Sequence, residues 1–560
     1  MKQILNEFAS NTSGHGWGMV GRTTNAFAKT LWIVITVLST IAAIIWVATI
    51  VGRYIKYETK DKVELKADVD IVFPSVTVCP LHGYSNDKMN DPKLVSSFLL
   101  QSRLIMAVYP RIKNITQMTN ETGDVILELV HRIRSHRGYY ENMGKRETSA
   151  LSHEIINLVP YCLYQESRCT PEHFQKLVHH EYMNCYTFNG KDINLTKPVI
   201  SSSGAQNGLS LTLFLEQKDD TYAPYDRSRA ITATAGARVI IHEKGTLPDP
   251  DNDGFNVEPG HLVNVALSVN KRELMKPPWG ECADHNTLQS TDFKYSRNAC
   301  KSKCLEKMIQ QECGCKKDLL PVELETRDDD IQACGKFNRE EWLKVPNITE
   351  ANITILKEDV TRFKCGEKEY AWSKISEDIP GCKCEYNCSY LTYDIETSQS
   401  LWPMKGSEMD FFCGGLAYED TYVGSTIYDE FHDKIGMYCL NYFGQYANIS
   451  KLWGDKLRDN FLRVNVYLKE PVTKYTVEEV DFTVITMVSE IGGVLGIFIG
   501  VSIITILEVF VLCNGIVYTL YRAKKTSSNI DVTEVIVTQS KNSENLSDPK
   551  TKYYQSKLSK

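Results

Sequence analysis

The chain has 560 residues, 42% of them hydrophobic and 24% charged, with a formal net charge of −7 and a mean hydropathy of −0.27. These averages exclude a disordered, collagen-like or many-span chain. The mild acidity argues against a nucleic-acid partner, and 17 cysteines fit a reducing compartment poorly.

After a short end at residues 1–29, Thr30–Gly52 forms a run of 23 uncharged residues bounded by Lys29 and Arg53. At about 1.5 Å per residue it spans a ~30 Å hydrocarbon core. It starts too late, runs too long and lacks a small-residue cleavage site for a signal peptide. Thr170-Pro171-Glu172 then reads as an N-cap with Pro at the first helical position. Leu209, Leu211, Leu213 and Leu215 alternate with Ser210, Thr212 and Phe214. Val263, Val265, Leu267 and Val269 alternate with Asn264, Ala266, Ser268 and Asn270. Both patterns predict half-buried strands. A helix is expected from Ser296 to about Glu312, and a third strand at Leu462, Val464, Val466 and Leu468. That strand leads almost directly into Ile491–Tyr521, 31 residues with one charge, Glu508, closed by Arg522, Lys524 and Lys525. The length exceeds one straight span, so tilt or a break is expected, with Gly492, Gly493, Gly496 and Gly500-Val501-Ser502 as candidate positions. The tail at 522–560 lacks apolar periodicity and is expected to be without stable structure.

The chain thus reads as an α+β membrane protein with two spans and a loop of about 430 residues, built on a mainly antiparallel sheet with segregated helices. Seven N-x-S/T sequons, at Asn114, Asn120, Asn194, Asn347, Asn352, Asn387 and Asn448, and sixteen cysteines lie between the spans. Such a loop belongs in an oxidising, extracellular space. The basic cluster after Tyr521 places both termini in the cytoplasm of a plasma-membrane protein.

Spacing supports one disulfide argument. Cys300 and Cys304 share a helix face about 6 Å apart, and Cys382 and Cys384 share an extended face about 6.6 Å apart. Two rungs, Cys300–Cys384 and Cys304–Cys382, fit. A zinc site from Cys313, Cys315, Cys382 and Cys384 is disfavoured by compartment and spacing. His153-Glu154 and His180-Glu181 begin like zincin motifs but lack the second His, and no nucleophile elbow or phosphate loop occurs. No enzyme, metal or cofactor is therefore expected. Glu323, Glu325 and Asp328–Asp330 form an acidic patch, read as a solvated loop, with cation or proton sensing as the alternative.

A carboxylate in a span faces water, a partner or an ion path. Two spans cannot enclose a pore, so a pore requires subunits around an axis, where Glu490 and Glu508 each become a ring of negative charge favouring cations.

At this point the residues resemble the degenerin/epithelial sodium channel family. His15-Gly16 is similar to its gating pair. Phe73-Pro74-Ser75-Val76-Thr77-Val78-Cys79 is similar to its F-P-A-V-T-x-C. Gly236 with Val239 to His242, then Pro248, Phe255, Val257 and Pro259-Gly260, looks like its palm and β-ball. Pro277-Pro278-Trp279-Gly280 with Cys282 looks like the turn coupling ectodomain to pore. Tyr295 with Cys300, Cys304, Cys313 and Cys315 matches its cysteine signature. Leu495 to Ser502 resembles L-G-L-F-x-G-x-S, with Gly500, Val501 and Ser502 at the selectivity filter.

The resemblance implies an amiloride-sensitive, sodium-preferring channel assembled as a homotrimer in the lipid bilayer, each subunit with palm, β-ball, finger, thumb and knuckle. Its parts would be a cytoplasmic N-terminus at 1–29, a first span at 30–52, an extracellular domain at 53–485 (finger about 84–190, thumb about 282–388), a second span at 486–521 and a cytoplasmic tail at 522–560. It implies the bridges Cys79–Cys185, Cys162–Cys169, Cys282–Cys388, Cys300–Cys384, Cys304–Cys382, Cys313–Cys365 and Cys315–Cys334. Cys413 and Cys439 are expected to form an eighth. Tyr54–Val72 contains no His, unlike the post-span linker of acid-sensing members. The general pattern and the extra cysteine pair resemble the invertebrate branch gated by FMRFamide peptides. A ligand ending in Arg-Phe-amide would need an acidic, aromatic pocket, which residues such as Tyr139, Tyr140 and Glu141 are placed to supply; no individual binding residue is assigned. The alternatives are a proton-gated or constitutively open sodium channel, an ATP-gated trimer, which the motifs argue against, and a non-conducting, membrane-anchored receptor or adhesion ectodomain.

Overall fold

The computed structural model describes residue 12 and residues 16–67, 71–88, 135–200, 202–217, 234–289, 291–325, 330–338, 357–375, 381–416 and 446–539. Helices are α1 (Trp17–Arg22), α2 (Ala26–Ile55), α3 (His136–Met143), α4 (Lys145–Leu151), α5 (Ile155–Leu158), α6 (Arg297–Cys313), α7 (Lys357–Ile375), α8 (Tyr446–Asn460), α9 (Val484–Ile499) and α10 (Ile503–Gln539). The strands are β1 (Thr59–Ala67), β2 (Ile71–Val72), β3 (Ser75–Pro80), β4 (Tyr161–Tyr164), β5 (Ser167–Arg168), β6 (Phe174–His179), β7 (Met183–Phe188), β8 (Val199–Ile200), β9 (Leu209–Phe214), β10 (Ala237–His242), β11 (Phe255–Val257), β12 (His261–Glu273), β13 (Ser389–Leu401) and β14 (Phe461–Val480). They fall into two units, residues 1–60 with 480–560, and residues 61–479.

The smaller unit holds the apolar helices. Helix α2 is longer than the uncharged run that predicts it. Asn25 caps it by accepting the Phe27 N–H at 3.0 Å, and it extends to Ile55, so Lys29 and Arg53 lie inside its ends. Thr36, Ala43 and Ile50 are its buried residues, spaced by seven and hence on one face. That side of the unit meets α9, with Trp46 and Phe498 ring centroids 6.3 Å apart. Elsewhere α2 and α10 turn large apolar side chains outward, among them Leu38, Ile44, Ile503 and Phe510. By length and composition α2 and the Ile503–Tyr521 part of α10 are able to cross a membrane, while α9 is shorter. Helix α10 continues to Gln539, so the first half of the tail expected to lack structure is helical. A helix already nucleated adds one hydrogen bond per residue.

In the larger unit, β13-β12-β14-β9-β4-β5 pair in that order and β1 adds to β14, giving a seven-stranded sheet. A five-stranded sheet runs β11-β10-β3-β7-β6, and β2 pairs β8. The strand pairs with a defined register are antiparallel except β12 with β14, which is parallel and shifts register between Leu267 and Val269. The main core draws Val76 and Val78, Tyr186 and Phe188, Leu211 and Val239 into one cluster with the inward valines and leucines of β12 and β14.

Two sequence expectations change here. Strand β9 is buried along both faces. Leu209, Leu211 and Leu213 enter the main core, while Phe214 turns into a second cluster with Phe412 and Phe461. The buried Ser210 hydroxyl accepts from Arg463 Nε at 3.1 Å, so this polar member of the alternation is satisfied inside the protein. The helix expected after Thr170 is one 3-10 turn, Pro171–His173. The chain then becomes β6, because six residues of antiparallel pairing with β7 outweigh the local start signal. Ser296, by contrast, caps α6 as read, accepting the Ala299 N–H at 3.3 Å.

Polar groups packed within the larger unit are held by specific partners. His242 hydrogen-bonds Thr77 (2.9 Å) and Thr246 (3.0 Å). Burial lowers its pKa from 6.5 to about 4. The folded state thus binds this proton more weakly than the unfolded chain. Stability is full above pH 6.5 and falls as pH drops from 6.5 towards 4, by roughly 3 kcal/mol in all. His242→Gln should flatten that part of the unfolding profile, read as the thermal midpoint of the purified protein across the interval; an unchanged slope would refute the assignment.

Lys317 is fully buried, with Nζ 2.8 Å from Glu367 and 4.3 Å from the Tyr370 ring centroid. Glu367→Ala should lower stability by roughly 3 kcal/mol, since it removes a carboxylate that pairs with a buried ammonium. A thermal midpoint within a degree of the parent's would contradict this.

Candidate pore and gating site

The residues expected to line a filter sit where the apolar helix breaks. Helix α9 ends at Gly500, which adopts φ +63 and ψ +25, a left-handed conformation that glycine takes without the Cβ penalty. The Gly500 N–H donates to the Gly496 carbonyl (3.1 Å) and the Val501 N–H to that of Leu495 (3.2 Å). Ser502 starts the next helix. Its hydroxyl accepts the Thr505 N–H (3.3 Å), and its own N–H donates to Thr505 Oγ1 (3.1 Å). This reciprocal pair is a capping box with Thr at the third helical position. The three residues therefore stand at the junction of the carbonyl end of α9 and the amide end of α10, where one helical ladder stops and the next begins. Irregular backbone at this depth occurs where it lines a cavity or is covered by protein. Around them, Gly492, Gly493 and Gly496 face open space within the single chain.

Glu508 does not stand alone. It accepts a hydrogen bond from Thr12 Oγ1 at 3.1 Å, which ties the N-terminal segment to α10 within the smaller unit. Glu490 is exposed on α9. Gly16 has φ +89 at the start of α1, and a Cβ there would come within 2.5 Å of Thr36 Oγ1, so both conformation and space require glycine. His15 lies outside the described residues.

The strands that continue into these helices are clamped by charge. Lys62 of β1 pairs with Glu64 (2.8 Å) and with Glu479 of β14 (3.4 Å), and Arg272 of β12 with Asp61 (3.2 Å). The Lys66 ammonium lies 4.2 Å over the Tyr475 ring. Hydrogen bonds to Glu64 and Glu479 raise the pKa of Lys62, and the Lys62 bond lowers that of Glu64. In the smaller unit Arg53 pairs with Asp481 (3.6 Å) and lies 4.3 Å over Phe482. Read from sequence, Arg53 and Lys62 are flanking charges; only the spatial return of residues 475–482 reveals their partners. Trp279 is half-buried in the turn after β12, beside Pro277-Pro278. That turn is fastened to β14, because the Met275 N–H donates to the Glu478 carboxylate at 2.9 Å.

Among the described residues, seven disulfides join cysteines of the larger unit: Cys79–Cys185, Cys162–Cys169, Cys282–Cys388, Cys300–Cys384, Cys304–Cys382, Cys313–Cys365 and Cys315–Cys334. Cys300 and Cys304 on α6 meet an extended segment running the opposite way, with Cα separations of 5.8 and 6.0 Å. Cys413 is disulfide-bonded; its expected partner Cys439 lies outside the described residues. Cys513 is a free thiol.

Of the sequons, Asn194 is exposed, and Asn387 is half-buried with its amide donating to the His285 carbonyl at 3.1 Å. Asn448 lies on α8. Asn114, Asn120, Asn347 and Asn352 lie outside the described residues, as do Asp328 and Asp329 of the acidic patch. Glu323 of that patch pairs with Lys191 (3.2 Å) and accepts from Gln175 (2.7 Å).

The aromatic, acidic trio placed to receive a peptide is buried instead. Tyr139 is 1% exposed and packs edge-on to Tyr84, Tyr140 is 6% exposed, and Glu141 pairs with buried Arg137 at 3.3 Å. On a helix packed on two sides, Tyr139 and Tyr140 fill core space.

Elsewhere, metal-capable atoms of His179, His180 and Asp251 lie within 4.8 Å of one another. His179 Nδ1 accepts the Glu181 and Tyr182 amides at 3.1 and 3.3 Å. A neutral ring then carries its proton on Nε2, 3.9 Å from Asp251, which leaves that nitrogen without a lone pair for a metal.

Gly500→Ala should alter the ratio of sodium to potassium permeability, because a Cβ at φ +63 costs roughly 1–2 kcal/mol and shifts the adjacent carbonyls. Reversal potentials identical to the parent's would remove the filter assignment.

Residues 8–512 match the family model described as amiloride-sensitive sodium channel. The chain is 24% identical to the FMRFamide-activated amiloride-sensitive sodium channel of Cornu aspersum, covering 93% of this chain and 84% of that one. It is 24% identical to acid-sensing ion channel 4-B of Danio rerio, covering 97% and 82%. It is 22% identical to the epithelial sodium channel subunit alpha of Rattus norvegicus, covering 90% and 74%. With a match over nearly its whole length, the chain belongs to the amiloride-sensitive sodium channel family, whose members are ion channels and not enzymes.

Proposed function

We propose that this chain is a subunit of a sodium-selective, amiloride-blocked channel that a neuropeptide ending in Arg-Phe-amide opens at the plasma membrane. The observation that carries the pore reading is the helix interruption at Gly500-Val501-Ser502. Repeated around a three-fold axis, it presents backbone carbonyls to a central path, and carbonyl rings replace the hydration shell of a cation. The homotrimer supplies the three copies. Glu490 and Glu508 supply negative potential along the same path, and both chain ends lie in the cytoplasm.

The peptide reading is supported by the similarity over 93% of this chain to a channel named for FMRFamide activation. It also draws on the absence of His in Tyr54–Val72. Residues 53–485 would face outside and receive the ligand. Force would then reach the spans through β1 and β14, which are continuous in sequence with α2 and α9.

Expression in oocytes tests this directly. An Arg-Phe-amide peptide should elicit inward sodium current that amiloride blocks, while acid alone should elicit little. Current on acidification without peptide would replace the ligand with protons. No current with peptide, acid or protease would favour the non-conducting receptor.

A further inference from the structure

Ser502 is exposed at the helix break, and behind it Thr505 is 6% exposed. The Thr505 side chain gathers polar groups of the break around one oxygen. Its Oγ1 accepts the Ser502 N–H at 3.1 Å, lies 3.2 Å from the Ser502 hydroxyl and donates to the Gly500 carbonyl at 3.4 Å. Its backbone N–H donates to Ser502 Oγ at 3.3 Å. Other threonines of the apolar helices behave differently. Thr36, Thr40 and Thr519 each donate to a carbonyl four residues back within their own helix. That is the ordinary way a helical hydroxyl is satisfied. Thr505 reaches five residues back, across the break, to the residue in the left-handed conformation.

These contacts place the protons. A carbonyl only accepts, so the Thr505 proton is the one directed at Gly500. The proton between the two hydroxyls then belongs to Ser502 and points at Thr505. Ser502 Oγ keeps two lone pairs, and the Thr505 N–H occupies one of them. We infer that Thr505 is a positioning residue for ion selection: it fixes the Gly500 carbonyl and holds the Ser502 hydroxyl as an acceptor, with its second lone pair left for a cation. The inference deepens the pore reading above and rests on it. A cation entering a filter exchanges hydration for protein oxygens, and their number and placement decide which ion passes. A serine hydroxyl that rotates offers its proton as well as its lone pairs, and a proton repels a cation. Thr505, buried behind Ser502, acts through that residue and touches no ion itself.

Valine has nearly the shape of threonine without the hydroxyl, so Thr505→Val separates hydrogen bonding from packing. The full-length chain is expressed in oocytes and opened by the stimulus that opens the parent, an Arg-Phe-amide peptide or acid. Reversal potentials in sodium and potassium solutions give the permeability ratio. Thr505→Val should lower the preference for sodium over potassium by about threefold or more, the scale of one neutral hydrogen bond. Thr505→Ser, which keeps the hydroxyl, should hold the ratio near the parent's. If the valine variant does not reach the cell surface, Thr505→Ala is read in the same way. A smaller current with an unchanged ratio in the variants without a hydroxyl would reduce Thr505 to packing and capping and overturn the inference. So would an equal loss of selectivity in Thr505→Ser. A parent that carries no current under peptide, acid or protease overturns the pore reading and this inference with it. A conducting parent with an unaltered valine variant overturns the inference alone.

Discussion

The structure of the larger unit depends on one strand. β14 runs for twenty residues and pairs with β12 in parallel, with β9 in antiparallel fashion and with β1. A parallel neighbour cannot be reached by a tight hairpin, so about 190 residues separate β12 from β14 in sequence. Those residues hold α6, α7, α8 and β13, which is why the disulfide-rich insertion exists as a distinct body on the sheet. Val464, Val466 and Leu468 anchor the strand in the main core with no measurable exposure beyond 1%. Its last residues, from Tyr475 to Glu479, carry instead the partners of Lys66, Met275 and Lys62. Core packing therefore holds one end of β14, while the other is held by its ladders to β12 and β1 together with contacts among side chains nearer the surface. Exposed ion pairs contribute little each, about 0–1 kcal/mol, so at the end that continues towards α9 the backbone pairing carries most of the hold.

The apolar helix beyond that end is broken by chemistry, not by proline. Gly500 takes the left-handed conformation, and Ser502 stops the α9 ladder by offering its own side chain as the cap of α10. The carbonyls at the end of α9 and the amides at the start of α10 leave oppositely signed partial charges on either side of Val501. Such an arrangement is costly in lipid unless protein or water covers it. In the proposed oligomer, subunits packed around this break would supply that cover. Thr12 adds a contact from the N-terminal segment to Glu508, so the carboxylate in this apolar helix has a hydrogen-bond donor within its own chain.

What could be read from the sequence follows from how local the cause is. Helix α6 was legible because Ser296 caps it and Gly314 ends it within a few residues. The rungs Cys300–Cys384 and Cys304–Cys382 were legible because matching rises on a helix and an extended chain are local geometry. The remaining pairings were not: spacing leaves many connectivities open, and only the resemblance implied one. The 3-10 turn at Pro171–His173 defeated a sound helix-start signal because the deciding partner, β7, is a hairpin neighbour whose pull no cap reveals. Burial of both faces of β9 was invisible because its second cover, Phe412 with Phe461, comes from about 200 and 250 residues away. Tyr139 and Tyr140 show the same limit, for an aromatic pair fills a core and lines a pocket equally well until its neighbours are known. In the site, Gly500 and Ser502 declare themselves by residue type, whereas the partners of Lys62, Arg272 and Met275 do not.

The distribution of buried charge completes the physical picture of the larger unit. Arg137, Glu141 and Glu181 on one side, and Lys317 with Glu367 on the other, form ion pairs around Tyr370. Burial opposes the charge on Arg137, yet its neighbouring carboxylates together hold the guanidinium above its ordinary pKa. An apolar replacement of such a cluster would be as stable or more so. What the ionic version adds is selectivity among arrangements: a shift of α7 against α3 that an oily contact tolerates leaves an unmatched charge here. The disulfide Cys313–Cys365 joins α7 to α6, and Cys315–Cys334 closes the loop carrying Lys317, so little of this region can relax independently.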